Sequence, residues 1–308
     1  MSVLEGGPTP VGRSWFRGFP RTLATSLFSV FFPSDCRVCG SPLVNVSRLP
    51  VCRECLDGVF PIDGAVCGLC GERILSPYAV SRSGNQLRCG LCRRVEPVFA
   101  RAVAYGSYES GLRELIHLLK YGGVRPAANV LGRMLAEAIR ELASEFGDDS
   151  VVVVPVPLHR AKLRQRGFNQ AELIARAALK SGILSDRLRL NAGLLERKRD
   201  TSSQTGLTSH QRRENLRGAF AVARTDVLRG REVLVVDDVY TTGATVSECA
   251  RILLRGGAAK VWVATVARTL KISARYVEIG SDLDSHGTEG TGSGAAVPQV
   301  SMARAAGG

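Results

Sequence analysis

Long apolar segments are missing from this chain, and so is a recognisable export signal. No run of uncharged apolar residues is long enough to cross a bilayer, so we expect no transmembrane segment. Basic and apolar residues do occur between Arg13 and Phe32. The sequence that follows, Phe31-Phe-Pro-Ser-Asp35, lacks the small residues of a signal-peptide cleavage site. We therefore expect a cytoplasmic protein.

The N-terminal stretch has the spacing of a short amphipathic helix. Phe19, Leu23, Leu27 and Phe31 recur at every fourth position, which places them on one helical face. Packing of this face against the rest of the protein is the simpler explanation. Weak contact with a membrane surface is the alternative.

Ferredoxin-type cysteine spacings are also absent, although the chain has nine cysteines. Eight of them form four C-x-x-C pairs, and the ninth, Cys249, reads as a small buried residue. Such pairs in a chain of this size indicate metal ligands in a reducing compartment rather than disulfides. Two pairs make one tetrahedral thiolate site, so the sequence predicts two structural zinc ions.

Glycine follows the first pair and the third pair directly, at Gly40 and Gly71. This pattern suggests that each C-x-x-C-G forms a tight knuckle that shares its zinc ion with the next pair. One site would then hold Cys36, Cys39, Cys52 and Cys55, and the other Cys67, Cys70, Cys89 and Cys92. An interleaved arrangement of the pairs and iron–sulfur ligation remain as alternatives.

Acidic residues are too few to balance the basic ones. The formal net charge is +13, and arginine supplies most of the excess. Such a balance favours polyanionic partners, either nucleic acid or phosphorylated metabolites, without distinguishing between them.

Composition divides the chain into four parts. We expect a leader over 1–33, a zinc-binding module over 34–95, an α/β domain over 96–274 and a disordered tail over 275–308. The module is too poor in apolar residues to build its own core, so metal must hold it. In the third part, strand and helix patterns alternate, which predicts a mostly parallel sheet with helices on both faces. The predicted strands are 99–105, 151–154, 194–197, 219–222, 233–236 and 261–266, and the predicted helices are 112–119, 126–144, 168–179 and 246–254.

The segment Val233-Leu-Val-Val-Asp-Asp-Val-Tyr-Thr-Thr-Gly-Ala-Thr245 carries the strongest functional signal. A buried parallel strand ends in two carboxylates, Asp237 and Asp238, at the usual ligand crevice of an open α/β sheet. Hydroxyls and closely spaced backbone N–H groups follow at a helix N-terminus, which suits a phosphate dianion. Together these groups match a ribose 5-phosphate.

Two further loops are rich in polar groups. Residues 158–170 follow the predicted strand 151–154 as a basic loop, and residues 197–207 read as a mobile polar loop. Either one could instead be an ordinary surface loop.

The acidic segment resembles the phosphoribosyl-pyrophosphate (PRPP) fingerprint of type I phosphoribosyltransferases. The resemblance implies that Asp237 and Asp238 face the ribose hydroxyls. It also implies that the 5′-phosphate is held by Thr241, Thr242, Gly243, Ala244 and Thr245. Leu158, His159 and Arg160 would form the pyrophosphate loop, where such proteins often have a strained backbone. The loop at 197–207 would cover PRPP, and Mg²⁺ would bind together with it.

The combination of motifs also resembles the ComF family of competence-associated proteins. Besides the cysteine pairs and the PRPP segment, the resemblance rests on Leu115-Ile-His-Leu-Leu-Lys-Tyr-Gly122, Arg164-Gln-Arg-Gly-Phe-Asn-Gln170 and Asn215-Leu-Arg-Gly-Ala-Phe220. It implies a role in DNA uptake and in the processing of incoming single strands, with DNA-uptake proteins as partners.

Two function classes follow. The chain is either a DNA-handling competence protein that retains PRPP binding, or an active phosphoribosyltransferase acting on a nitrogenous base or amine in nucleotide metabolism. A PRPP-sensing regulator is a third reading. Whether the zinc-binding module contacts DNA stays open, because its aromatic residues are few.

Overall fold

Strands and helices alternate along most of the computed structural model, which describes residues 35–43, 48–74, 81–83, 86–199 and 209–270. The described strands are β1 (Ser81–Ser83), β2 (Gln86–Arg88), β3 (Arg101–Ser107), β4 (Val151–Pro155), β5 (Leu188–Leu190), β6 (Leu195–Arg197), β7 (Phe220–Val222), β8 (Glu232–Tyr240) and β9 (Lys260–Arg268). The described helices are α1 (Arg53–Asp57), α2 (Gly90–Arg94), α3 (Ser110–Lys120), α4 (Ala127–Arg140), α5 (Arg160–Arg166), α6 (Gln170–Leu179), α7 (Ser209–Leu216) and α8 (Ala244–Arg255).

The main sheet has five strands in the order β3-β9-β8-β4-β5, and every neighbouring pair is parallel. Strand β4 is buried along its whole length, and β8 is buried from Val233 to Val236, as their near-continuous apolar sequences predict. The predicted α/β class with a mostly parallel sheet is confirmed. Two antiparallel ribbons, β1–β2 and β6–β7, lie outside this sheet.

Helices cover both faces of the main sheet. On one face, α3, α4 and α6 bury apolar residues such as Leu115, Leu135 and Ile174 against alternate residues of β4, β8 and β9. On the other face, α8 buries Cys249 and Leu253 against the remaining residues of the same strands. Because successive strand residues point to opposite faces, each central strand contributes to both cores.

The cysteine-rich module is attached to the free edge of strand β3. The Ile62 amide donates to the Tyr105 carbonyl at 2.7 Å, and the Ala102 amide donates to the Leu69 carbonyl at 2.8 Å. An uncovered edge would leave backbone groups without partners, so these bonds protect the sheet. The boundaries at 33, 95 and 274 stay predictions.

The segment after β4 differs from its prediction as a loop. Residues 160–166 form helix α5, which begins after His159 and ends at Gly167 in a left-handed conformation (φ 77°). Its residues favour helix, but the helix has no buried side chain, so no apolar stripe announces it. Strand β5 was missed as well, since it has only three residues.

Several predicted segments lie outside the described residues. They are the leader with its amphipathic helix, the tail over 275–308 and positions 200–207 of the polar loop. Among the residues that are described, no helix combines the length and the apolar character needed to span a membrane.

Candidate functional site

The two predicted acidic residues lie near the carboxyl end of β8, in the middle of the main sheet. Asp237 is paired in register with Thr265 of β9, and both β4 and β9 flank the strand. Asp238 is only 4% exposed, whereas Asp237 is half-buried. The carboxyl ends of parallel strands form the ligand crevice of an open sheet, so the pair lies where the sequence predicts it.

Asp238 is held by a cation and an amide from two helices. Lys120, the last residue of α3, forms an ion pair with its carboxylate through Nζ. Gln170, the first residue of α6, is oriented to donate from Nε2 to Oδ1 at 3.5 Å. A buried carboxylate needs such partners, because an unpaired charge in the interior is strongly unfavourable.

The two carboxyl groups differ in their acidity. Burial and the adjacent Asp238 carboxylate raise the pKa of Asp237 well above its usual range. Burial also opposes ionisation of Asp238, but the Lys120 ammonium and hydrogen bonds outweigh it and lower the pKa of Asp238. Lys120 therefore offsets much of the negative charge of the pair, which eases the approach of a polyanion.

The loop after β8 has the geometry of a tight turn into helix α8. Thr241 and Thr242 are exposed, and Gly243 follows with a left-handed backbone (φ 75°). The Ala244 amide is directed at the Thr242 hydroxyl, at 3.4 Å. The turn therefore leads from the strand that carries the acidic pair into helix α8, with both threonine side chains open to solvent. Such a turn can hold a phosphate group.

The predicted pyrophosphate loop lies beside this turn, at the end of the neighbouring strand. The Val156 amide donates to the Val236 carbonyl at 2.8 Å, which aligns the exit of β4 with that of β8. Leu158 and His159 are half-buried, and Arg160 is exposed as the first residue of α5.

The expected strain is not found as a positive φ in this loop. His159 has ordinary extended angles (φ −64°, ψ 146°), and its Nδ1 accepts from the Ala161 amide at 3.4 Å as the cap of α5. Of the described residues other than glycine, only Ser110 has a positive φ, 42°. Capping of the short helix α5 accounts for the extended backbone angles of His159.

Reasoning from sequence assigned no role to Gln170, and for Lys120 it offered an ordinary cation at a helix C-terminus or a role near the acceptor pocket, without naming Asp238 as its partner. Each is the terminal residue of a helix far from Asp238 in the chain, so local patterns give no hint of the contact. The available signal was that both lie in the family-like segments Leu115–Gly122 and Arg164–Gln170.

The eight paired cysteines come together as two groups of four. They are Cys36, Cys39, Cys52 and Cys55, and Cys67, Cys70, Cys89 and Cys92, with all sulfur atoms of a group within 4.8 Å of one another. Four sulfurs at about 2.3 Å from a tetrahedral zinc ion would lie about 3.8 Å apart. The Sγ atoms of Cys39 and Cys52 are 3.7 Å apart, as are those of Cys70 and Cys89. The groups fit zinc, in sequential rather than interleaved order.

Local backbone geometry prepares both groups for metal. Gly40 and Gly71 have φ of 76° and 71°, and their amides close the knuckles on the carbonyls of Cys36 and Cys67 at 2.8 Å. Burial opposes ionisation of the Cys36 thiol, but backbone N–H groups, chiefly that of Cys52, lower its pKa to about 6. A thiolate is the form that binds zinc.

Comparison with known proteins adds three findings. A family described as "Phosphoribosyl transferase domain" matches residues 166–283. The chain is 32% identical to DNA utilization protein YhgH of Escherichia coli O6:H1, across 77% of this chain and 98% of that protein. It is 30% identical to Competence protein F of Haemophilus influenzae, across 70% of this chain and 96% of that protein.

Solved structures are more distant. The allosteric regulatory enzyme of purine biosynthesis is 22% identical with a TM-score of 0.29, covering 46% of this chain and 26% of that chain. A likeness this weak carries no argument about function.

Proposed function

The chain belongs to the ComF family, and from that premise we propose that it binds PRPP with Mg²⁺ and acts on incoming single-stranded DNA during natural transformation. Relatives are named for competence and for DNA utilization. We place this activity in the cytoplasm, together with DNA-uptake proteins as partners. Thiolate ligation by eight cysteines, which needs a reducing compartment, supports the location.

One observation carries the PRPP assignment. Two carboxyl groups lie near the carboxyl end of a central strand, and a turn with two exposed threonines and a glycine leads from that strand into a helix. In the proposed complex, Asp237 and Asp238 accept hydrogen bonds from the ribose hydroxyls. The 5′-phosphate lies against the residues from Thr241 to Thr245, and the pyrophosphate against Leu158, His159 and Arg160.

Mg²⁺ would be held mainly by oxygen atoms of PRPP, since this ion keeps several waters and seldom uses a cage of protein ligands. Bound there, it would neutralise the charge of the pyrophosphate group. The chain itself contributes orientation: the acidic pair fixes the ribose, and Lys120 fixes Asp238. The same carboxylates would stabilise positive charge developing at the anomeric carbon if pyrophosphate leaves.

The DNA part of the proposal is supported by charge. The net charge is +13, and Arg125, Arg160 and Arg164 are exposed at the end of the sheet that holds the acidic pair. Phosphate groups along a strand would be attracted to these cations.

A double substitution, Asp237→Asn with Asp238→Asn, separates the two activities. We expect the loss of PRPP–Mg²⁺ binding in calorimetry, because each amide offers one acceptor oxygen where a carboxyl group offers two, and its NH₂ group cannot accept a hydrogen bond from a ribose hydroxyl. Binding of a single-stranded oligonucleotide in an electrophoretic shift assay should persist. Asp148→Asn with Asp149→Asn is the matched control, because this adjacent pair is exposed and precedes β4. Equal loss of both activities in the site variant would contradict the proposal of two distinct sites.

Transferase activity is the second candidate, and the complete acidic pair with its phosphate turn favours it. A screen for pyrophosphate release from PRPP across nitrogenous bases and amines tests it directly. Release that depends on one acceptor and disappears in the double asparagine variant would identify an active transferase. Absence of release with every acceptor, despite PRPP binding, would leave a binding protein.

A further inference from the structure

An exposed aromatic ring directly follows the residue that forms an ion pair with Asp238. Helix α3 ends at Lys120, whose ammonium group pairs with Asp238, and the next residue is Tyr121. Its side chain is 73% exposed, although the residue before it is held in the site. A single exposed apolar ring is common on protein surfaces, so exposure alone carries no functional meaning.

The contacts of Tyr121 set it apart. The guanidinium carbon of Arg166 lies 5.6 Å from the centre of the ring, in cation–π geometry. His117 approaches the same ring edge-on, with centroids 5.2 Å apart. The ring is therefore supported by two side chains while most of its surface remains open to solvent. Large aromatic rings presented in this way are suited to stacking.

Arg166 also connects the ring to the acidic pair. Its Nη1 donates to Gln170 Oε1 at 2.6 Å, and Gln170 Nε2 approaches Asp238 Oδ1 at 3.5 Å. A series of side-chain contacts therefore runs from Tyr121 through Arg166 and Gln170 to Asp238. Asp238 in turn pairs with Lys120, the residue before Tyr121 in the chain. A ligand stacked on Tyr121 would lie beside the position that we propose for the ribose of PRPP.

The surroundings of the ring are basic. Arg125 packs over the Phe168 ring at 5.3 Å, and Arg164 is exposed on α5. Within the described part of the chain, neither Arg125, Arg164 nor Arg166 forms an ion pair with a carboxylate. Cations without carboxylate partners are available to phosphates. An open ring among such cations is the combination that single-stranded nucleic acid requires.

We propose that Tyr121, supported by Arg166, stacks a nucleobase of single-stranded DNA at the edge of the PRPP site. This inference rests on the DNA-binding part of the proposed function and adds the residues that would contact a base. Stacking accepts any base, since every base has a π-face, so the site would bind strands without reading their sequence. A free nucleobase has the same chemistry, and the experiment separates the two sources.

The test compares Tyr121→Ala with Tyr121→Phe by fluorescence anisotropy, with a labelled thymidine oligonucleotide and an abasic strand of equal length. Loss of one base–aromatic stack should weaken binding of the thymidine strand roughly tenfold. Tyr121→Phe retains the ring and should bind like wild type. Phe60→Ala is the matched control, because Phe60 is also 73% exposed but belongs to the cysteine-rich module. All variants should bind the abasic strand equally, since it offers phosphates without bases.

Calorimetry on the same variants, with PRPP–Mg²⁺ and with free nucleosides, distinguishes failure of the stacking inference from failure of the proposed function. Retained PRPP binding by Tyr121→Ala, with weaker binding of the thymidine strand alone, supports the stacking site. Saturable nucleoside binding that Tyr121→Ala abolishes identifies a free base as the ligand. Wild-type affinity of Tyr121→Ala for the thymidine strand, with no nucleoside bound, overturns the inference and leaves the proposed function standing. Failure of the wild-type protein to bind strand or nucleoside overturns both.

Discussion

Gly243 is fixed by two separate requirements at the turn into helix α8. Its φ of 75° lies in the left-handed region that residues with a Cβ atom avoid. A Cβ atom at this position would also overlap the hydroxyl group of Tyr240, which is buried under the turn. The backbone of the proposed phosphate turn can therefore approach the Tyr240 ring only because residue 243 is glycine.

Gly243→Ala should abolish or strongly weaken PRPP binding, because Tyr240 and the turn cannot both keep their positions. We expect at least a tenfold loss of affinity in calorimetry. Gly230→Ala is the control: its φ is 72°, but a Cβ atom there meets nothing within 4 Å. It should cost about 1 kcal/mol of stability from the backbone alone and leave PRPP affinity unchanged. Equal PRPP affinities of the two variants would show that the turn does not hold the ligand.

At the scale of single residues, sequence could predict a position where the signal lies in one short segment. Asp237 and Asp238 come directly after the apolar run of β8, so their position near the carboxyl end of a central strand could be predicted from the segment itself. The partner of Lys120 could not be found in that way. Its contact with Asp238 depends on how α3 crosses the sheet, and a lysine at the end of a helix has an ordinary explanation in the helix dipole.

At the scale of elements, the same contrast appears between helices α6 and α5. Helix α6 was predicted over 168–179, and it begins at Gln170, after Asn169, whose side chain accepts from the Ala171 amide at 3.1 Å. Its buried face includes Ala171, Ile174 and Ala178, which gives a helical period. Helix α5 buries none of its residues, so hydrophobic periodicity could not reveal it.

One buried ion pair joins the cysteine-rich module to the main sheet. Arg268, at the end of β9, pairs with Glu72 at 2.6 Å and donates to the Cys70 carbonyl. Arg268 also lies over the Tyr240 ring, 4.4 Å from its centre. The second cysteine group is therefore connected, through Arg268 and Tyr240, to the turn at Gly243.

Breaking this pair should destabilise the protein more than losing a surface pair. Glu72→Gln leaves the buried Arg268 charge without its anion, which costs about 3–5 kcal/mol. Glu72→Leu with Arg268→Met should recover much of that loss. Urea unfolding of the zinc-loaded variants measures both values. Arg224→Ala is the control, because its pair with Asp226 is exposed and should contribute less than about 1 kcal/mol. If the double variant lost as much free energy of unfolding as Glu72→Leu and Arg268→Met lose together as single variants, the result would contradict a coupling between module and sheet.

On the scale of the whole molecule, the cysteine groups belong to the two cores rather than to a separate unit. Cys36 is buried in the core that contains α3, α4 and α6, together with Val51 and Val59. Cys67, Cys70 and Cys92 are buried in the core that contains α8. The sequence indicated that the module cannot build a core of its own. It could not indicate that the module completes both cores of the main domain, because that depends on packing at strand β3.

Removal of zinc should consequently destabilise the whole molecule. We expect two zinc ions per chain by elemental analysis, since each cysteine group fits one tetrahedral ion. Cys39→Ser with Cys55→Ser should retain one ion. Cys249→Ser should retain both, because Cys249 belongs to neither group. Chelation should lower the unfolding temperature of the entire chain by roughly 10 °C or more, as lost metal binding is lost folding free energy. An unchanged unfolding temperature of the main sheet after complete zinc removal would show that the module does not stabilise the domain. The shared cores argue against that outcome.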